Sequence, residues 1–210
     1  STFFIKGGLV KIFFISAIFL FSTLNSSFSA KADGFYGGFL TGSTNIDSGV
    51  TAVNGATLDE DGSASSFFFG KKINENLSIE GFYSDLGEAS LAGDNGDTFV
   101  IDGTTYQFIT SATLAVSSTS IGLAAKYDFD ISEKSNFFVK AGFHNWETDL
   151  EISVGTASAS FTTDGSDTMY GLGAEYKLNE QFSLIAGYDN YKLDSENVSF
   201  LNVGAKFQFK

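Results

Sequence analysis

The chain has 210 residues, with 23 Gly, 24 Phe, no Pro and no Cys. The missing Cys excludes disulfides, thiolate metal sites and a Cys nucleophile, and a net charge of −13 argues against nucleic acid and against attraction to anionic membrane surfaces. The length suits one domain with a full core or barrel, and a closed sheet, which tolerates no missing N–H, suits a chain without Pro.

Residues 1–32 read as a secretory signal. Lys6 and Lys11 form its charged region, and Ile12 opens an apolar run to Leu24 that is short for a membrane helix, which needs ~20 residues. Ala30-Lys31-Ala32 is an A-x-A cleavage site, so the barrel domain is expected over residues 33–210. Losing the three Lys of that leader makes the remainder more acidic still.

Beyond residue 32 no stretch carries a 3.6 period, and segments with a period of two recur. Strands are expected over residues 34–42, 65–73, 77–86, 120–129, 137–144, 169–177, 182–189 and 198–209. In the fourth, Ile121, Leu123, Ala125, Tyr127 and Phe129 alternate with Ser120, Gly122, Ala124, Lys126 and Asp128. The run Phe67-Phe68-Phe69 leaves the faces of the second strand open. The segments KKINENLSIEGFYSDL (71–86) and YKLNEQFSLIAGYDNY (176–191) repeat one another, with residues 127–146 a looser copy. Each is strand, short polar turn, strand. The intervening connections (43–64, 87–117 and 150–168) are long, and a short fourth lies at 194–197. Within the long ones, Thr98 to Ile101, Asp102-Gly103 and Thr104 to Ile109 read as a hairpin, and residues 151–161 as strands five and six running onward.

The last strand, VSFLNVGAKFQF, sets Leu201, Val203, Ala205, Phe207 and Phe209 against Phe200, Asn202, Gly204, Lys206 and Gln208. This resembles the C-terminal signal strand of bacterial outer-membrane β-barrels, carried by Asn202, Gly204, Phe207 and Phe209, with Lys210 following as a departure. The whole chain after the leader is similar to the small eight-stranded barrels, the OmpA transmembrane domain and the OmpX-like and opacity-protein-like families. That resemblance implies an all-β, eight-stranded antiparallel up-and-down transmembrane barrel in the outer membrane of a Gram-negative bacterium. It implies that the assembly machinery reads the last strand, and that outer-membrane lipid and lipopolysaccharide surround a monomer. About ten residues per strand at ~3.3 Å each, tilted ~40°, span ~25 Å, the height of an outer-membrane apolar band.

Alternation alone does not say which face points inward, and a soluble exported ligand-binding barrel would bury its apolar face. Aromatics at the ends of the apolar faces and isolated mid-strand charges among Gly and Ser favour lipid outside and a polar lumen. Glu80, Lys126, Lys140, Glu175, Asp189 and Lys206 are then expected to form a lumen charge network that plugs the cylinder, the alternative being a narrow gated pore. His144, the one His, also lies on the lumen face. Membrane-embedded lipid A-modifying hydrolases and acyltransferases resemble this architecture and pair a His with a Ser, but Glu147, its nearest acid, alternates onto the other face. No catalytic residue, cofactor or metal site is expected, since the acidic loops at 59–62 and 93–97 lack EF-hand spacing. Weak divalent-cation bridging from those loops to lipopolysaccharide phosphates is the sharper reading of them. Trp146 is expected at the interface or rim. The expected role is envelope structure, with surface adhesion through protruding strands.

Overall fold

The computed structural model describes residues 34–209; the signal segment and its cleavage site, expected over residues 1–32, lie outside the described residues. Twelve strands follow in order: β1 (Phe35–Asp47), β2 (Val50–Val53), β3 (Thr57–Asp59), β4 (Asp61–Lys72), β5 (Leu77–Gly93), β6 (Thr98–Ile101), β7 (Thr104–Gln107), β8 (Ala112–Asp130), β9 (Ser135–Val154), β10 (Ala157–Lys177), β11 (Phe182–Leu193) and β12 (Glu196–Gln208). Eight of them close a ring. β1 pairs with β4, β4 with β5, β5 with β8, and the ladder continues through β9, β10, β11 and β12. β12 then pairs back onto β1, from Tyr36↔Gln208 to Asp47↔Asn197. All these pairings are antiparallel, and closure leaves no unpaired edge within the ring.

The period of two decides which side chains enter the cylinder. Leu123, Leu172, Leu184 and Val203 point outward and are 64, 47, 49 and 58% exposed. Lys126 and Glu175, on the opposite face, are each 2% exposed. Phe67 and Phe69 point outward and Phe68 inward, which settles the aromatic run. The outer surface is therefore an oily belt, as a barrel immersed in lipid requires. Its lower edge is an aromatic girdle: Phe182 lies 5.0 Å from Phe207, Phe207 5.2 Å from Phe209, and Phe69 6.0 Å from Phe209.

At that lower end three turns share one construction. Asn74 Oδ1 accepts from the N–H groups of Asn76 and Leu77, Asn179 Oδ1 from those of Gln181 and Phe182, and Ser132 Oγ from those of Lys134 and Ser135. Each short polar side chain thus satisfies donors that no strand partner reaches.

At the upper end β9 and β10 run on past the belt, as expected over residues 151–161, while β5 and β8 run well past their expected limits. β9 and β10 continue as a hairpin to Val154 and Ala157, and β5 and β8 pair to Gly93↔Ala112. Here Ser, Thr, Ala and acids outnumber the apolar residues Leu91, Leu114, Val116, Leu150, Ile152, Val154 and Phe161, so the apolar alternation fades while the backbone ladder goes on. The sequence reading missed β2 and β3 inside the loop of residues 43–64. β3 extends the wall beside β5, and β2 joins β6 and β7 in a separate three-stranded sheet. The turn between β6 and β7 has φ of 50° at Asp102 and 76° at Gly103, the left-handed pair that a tight Asp-Gly hairpin needs. Between Asp85 and Glu88 the β5–β8 register shifts by one residue at Gly87, whose φ is 81°. That bulge resets the alternation and keeps both Leu86 and Ala89 inside.

Candidate functional site in the barrel interior

The lower half of the interior is a charged floor. Each of its residues faces inward because it holds the same parity on its own strand. Lys126 Nζ lies 2.7 Å from Asp128 Oδ1 and 3.5 Å from Glu175 Oε2, and Lys206 Nζ pairs with Glu175 Oε1. Lys140 Nζ lies 2.9 Å from Asp189 Oδ2, which also accepts from Asn202 Nδ2 at 3.1 Å. Glu80 makes no ion pair among the described residues, and instead accepts from the Tyr36 hydroxyl at 2.8 Å. The ammonium groups are covered by rings: Lys126 lies 4.7 Å from the Phe138 centroid and Lys206 5.0 Å from that of Tyr36.

Five of the six expected charges are thus in ion pairs, and the sixth is one hydroxyl away. Asp128 and Tyr36 belong to the same cluster and were not singled out from the sequence. Asp128 was detectable, since it sits two residues from Lys126 and so shares its face. Tyr36 was not, because its contact with Glu80 passes over β4 at Gly70, and the sequence does not show that β1 and β5 flank one strand. Glycine makes room for these pairs. A Cβ on Gly171 would collide with the Asp189 carboxylate and the Lys140 stem, and one on Gly173 with the Phe138 ring.

The upper half is an apolar mouth. Leu86, Met169, Tyr191, Val198 and Phe200 are each at most 1% exposed. Its polar groups are neutral and paired. Ser84 Oγ donates to Ser66 Oγ at 2.8 Å and lies 3.0 Å from the Tyr191 hydroxyl. A lumen expected to be polar throughout is therefore charged only below, because Phe82, Met169 and Phe200 follow the charges on the inward face.

His144 stands in this mouth. Its Nε2 lies 3.0 Å from the Lys192 carbonyl, which can only accept, so Nε2 carries the proton. Nδ1 is then the acceptor for Ser120 Oγ at 2.8 Å. A Ser beside a His base is a nucleophile arrangement, and sequence reasoning had not found Ser120. A carbonyl stands where an orienting carboxylate would be needed, and Glu147 faces outward. Both Ser120 and His144 are 2% exposed.

Above the belt a latch ties the short β11–β12 turn to β10. Asp167 Oδ2 accepts from the Asp194 backbone N–H at 2.9 Å and from Trp146 Nε1 at 3.1 Å, and Lys192 Nζ lies 3.9 Å from its other oxygen. The Asp194 N–H first, and the indole next, hold the Asp167 carboxyl below the usual carboxylate range. Trp146 is thus at the rim but turned inward and 8% exposed, not facing the lipid interface.

The residues of the expected assembly signal are divided between the two faces of β12. Asn202 lies inside on Asp189, Gly204 lies inside against Leu40, and Phe207 and Phe209 stand outside in the girdle.

A family model described as the outer membrane protein beta-barrel domain matches residues 13–209. No curated protein matches the chain. Among solved structures, Ail, the attachment invasion locus protein of Yersinia pestis, is similar at 14% identity with a TM-score of 0.51, over 84% of this chain and 99% of that one; it was solved in complex with the heparin analogue sucrose octasulfate. A second Ail structure aligns at 16% identity with a TM-score of 0.50, over the same shares of both chains. Neisserial surface protein A aligns at 18% identity and 0.49, over 84% of this chain and 98% of that one. The two Ail likenesses speak to the fold alone.

Proposed function

The chain belongs to the outer-membrane β-barrel family of Gram-negative bacteria, and on that premise we propose that it is a non-enzymatic, closed barrel with a structural role in the envelope, whose outer strands make surface contacts. The observation that carries this reading is the filled interior. Buried ion pairs occupy the floor and large apolar side chains the mouth, so two different fillings stand in series across the membrane. An eight-stranded barrel is just wide enough for such side chains. A planar-bilayer recording tests it: background conductance is expected, and a large stable open state would overturn the plug in favour of a pore.

Surface contact is supported by the height of the β9–β10 hairpin above the belt and by the name of one structural neighbour, an attachment protein. The polyanion bound by that neighbour does not carry over. Lys192 is the single Lys on the outer side of the belt among the described residues, against more than a dozen carboxylates. Removing residues 98–109, and separately residues 148–163, should lower attachment of expressing cells to host surfaces. Unchanged attachment in both would remove the adhesive part of the reading.

A lipid-modifying enzyme is the second reading, favoured by the Ser120–His144 contact alone. Burial of both groups and the missing acid weigh against it. His144→Ala should leave the lipid A of expressing cells unaltered, and a changed acylation pattern would reinstate it. The last strand is assigned to recognition by the assembly machinery, so Phe207→Ala with Phe209→Ala should reduce the amount of barrel reaching the membrane.

A further inference from the structure

Over residues 157–168, β10 has β9 on one side and no described strand on the other, because β11 stops pairing where Tyr191 meets Met169. Every second residue of that stretch aims its N–H and C=O at the open side. The stretch contains no Pro and no bulge, two usual protections of an edge. Its charges are all of one sign. Asp164 stands directly opposite Glu147, with Thr162 opposite Asp149 and Ser160 opposite Glu151. By alternation the four carboxylates share the outward face, and all four are exposed.

Facing like charges weaken a strand pair, so the Asp164–Glu147 register does nothing for the hairpin itself. It also disfavours a second copy of this chain, since an antiparallel β10–β10 contact would bring two acidic edges together. We infer that the open edge of β10 docks an extended polypeptide segment carrying Lys or Arg at alternate positions. The added strand would lie ~4.8 Å from β10 and ~10 Å from β9. Its outward cations reach Asp164 directly and Glu147 across β10, while its backbone takes up the unpaired groups. This rests on the surface-contact reading above and names the chemistry of the partner.

The test uses the whole barrel in lipid nanodiscs and three twelve-residue peptides. One alternates Lys and Thr, the second alternates Glu and Thr, and the third is the Lys–Thr peptide with N-methylated amides, which keeps the charge and loses the ladder. The Lys–Thr peptide is expected to bind and to slow amide exchange at alternate residues of 157–168. The other two should bind at least about tenfold more weakly. Glu147→Lys with Asp164→Lys should reverse the preference between the first two peptides, with unchanged heat-modifiable gel mobility showing that the barrel still folds. Equal affinity for the N-methylated peptide, protection elsewhere, or an unreversed preference would each overturn the inference. The assay contains no host surface, so its failure and a failure of the attachment experiment are separate results.

Discussion

The floor and the mouth of this cylinder are built on the same strands with the same inward parity, yet they are closed by opposite chemistry. In the floor, each cation is held because an anion from another strand meets it: Lys126 and Lys206 on either side of Glu175, Lys140 on Asp189. In the mouth the side chains are large and uncharged, and their few polar atoms close short neutral chains such as Ser66–Ser84–Tyr191. Buried charges depend on every partner being present, whereas apolar packing loses only what is removed. The floor should therefore fail abruptly and the mouth gradually.

The sharpest break in that contrast comes from Glu175→Ala, which leaves Lys126 and Lys206 in the floor without the anion they share. A loss of about 4 kcal/mol is expected in urea unfolding from lipid vesicles. A loss below about 1 kcal/mol would mean that the floor is not held by its charges. The fourfold change Lys126→Met, Asp128→Asn, Glu175→Leu and Lys206→Met sharpens the point, because replacing the whole ion-paired group should restore stability to within about 1 kcal/mol of the original. In the mouth, Phe200→Ala should cost about 3 kcal/mol by the same measurement, through the cavity left at a fully buried ring. Tyr191→Phe removes one hydroxyl from the neutral chain and should cost about 1 kcal/mol.

The smallest effect concerns pH at the rim. Because the Asp167 carboxyl is held below the usual range, its contribution to the latch is complete above the ordinary carboxylate pKa. It is lost as the pH falls through the lowered value. Hydrogen exchange at the Asp194 amide should be protected at neutral pH and quicken, beyond the intrinsic rate change, only in strong acid. Asp167→Asn should remove that dependence.

Much of this was legible because one physical signal governs the belt. Where lipid lies on one side and a narrow lumen on the other, each strand must alternate, and Leu123 against Lys126 or Leu184 against Asp189 can be read directly. Above the belt water lies on both sides, so the alternation thins: the run-on of β9 and β10 at residues 151–161 was still legible, whereas β2, β3 and the extensions of β5 and β8 look like loop. Side-chain partners on different strands were not legible either. Tyr36 and Glu80 are 44 residues apart with β4 between their strands, and Ser120 and His144 are 24 apart on neighbouring strands, so only the strand order and register bring each pair together. The apolar mouth was present on the inward faces as Phe82, Met169 and Phe200, but the isolated charges beside them drew the reading toward a polar lumen.

The seam between β1 and β12 bears on the order of events during biogenesis. Gln208 Nε2 donates to the Phe35 carbonyl across 173 residues, while the capped turns join strands only a few residues apart. Contacts that span so much chain are entropically the most expensive to bring together and are slow to form. Neighbouring hairpins can therefore assemble before β12 meets β1, and the cylinder is completed when that seam closes. A cysteine pair placed across that seam would report the moment of completion.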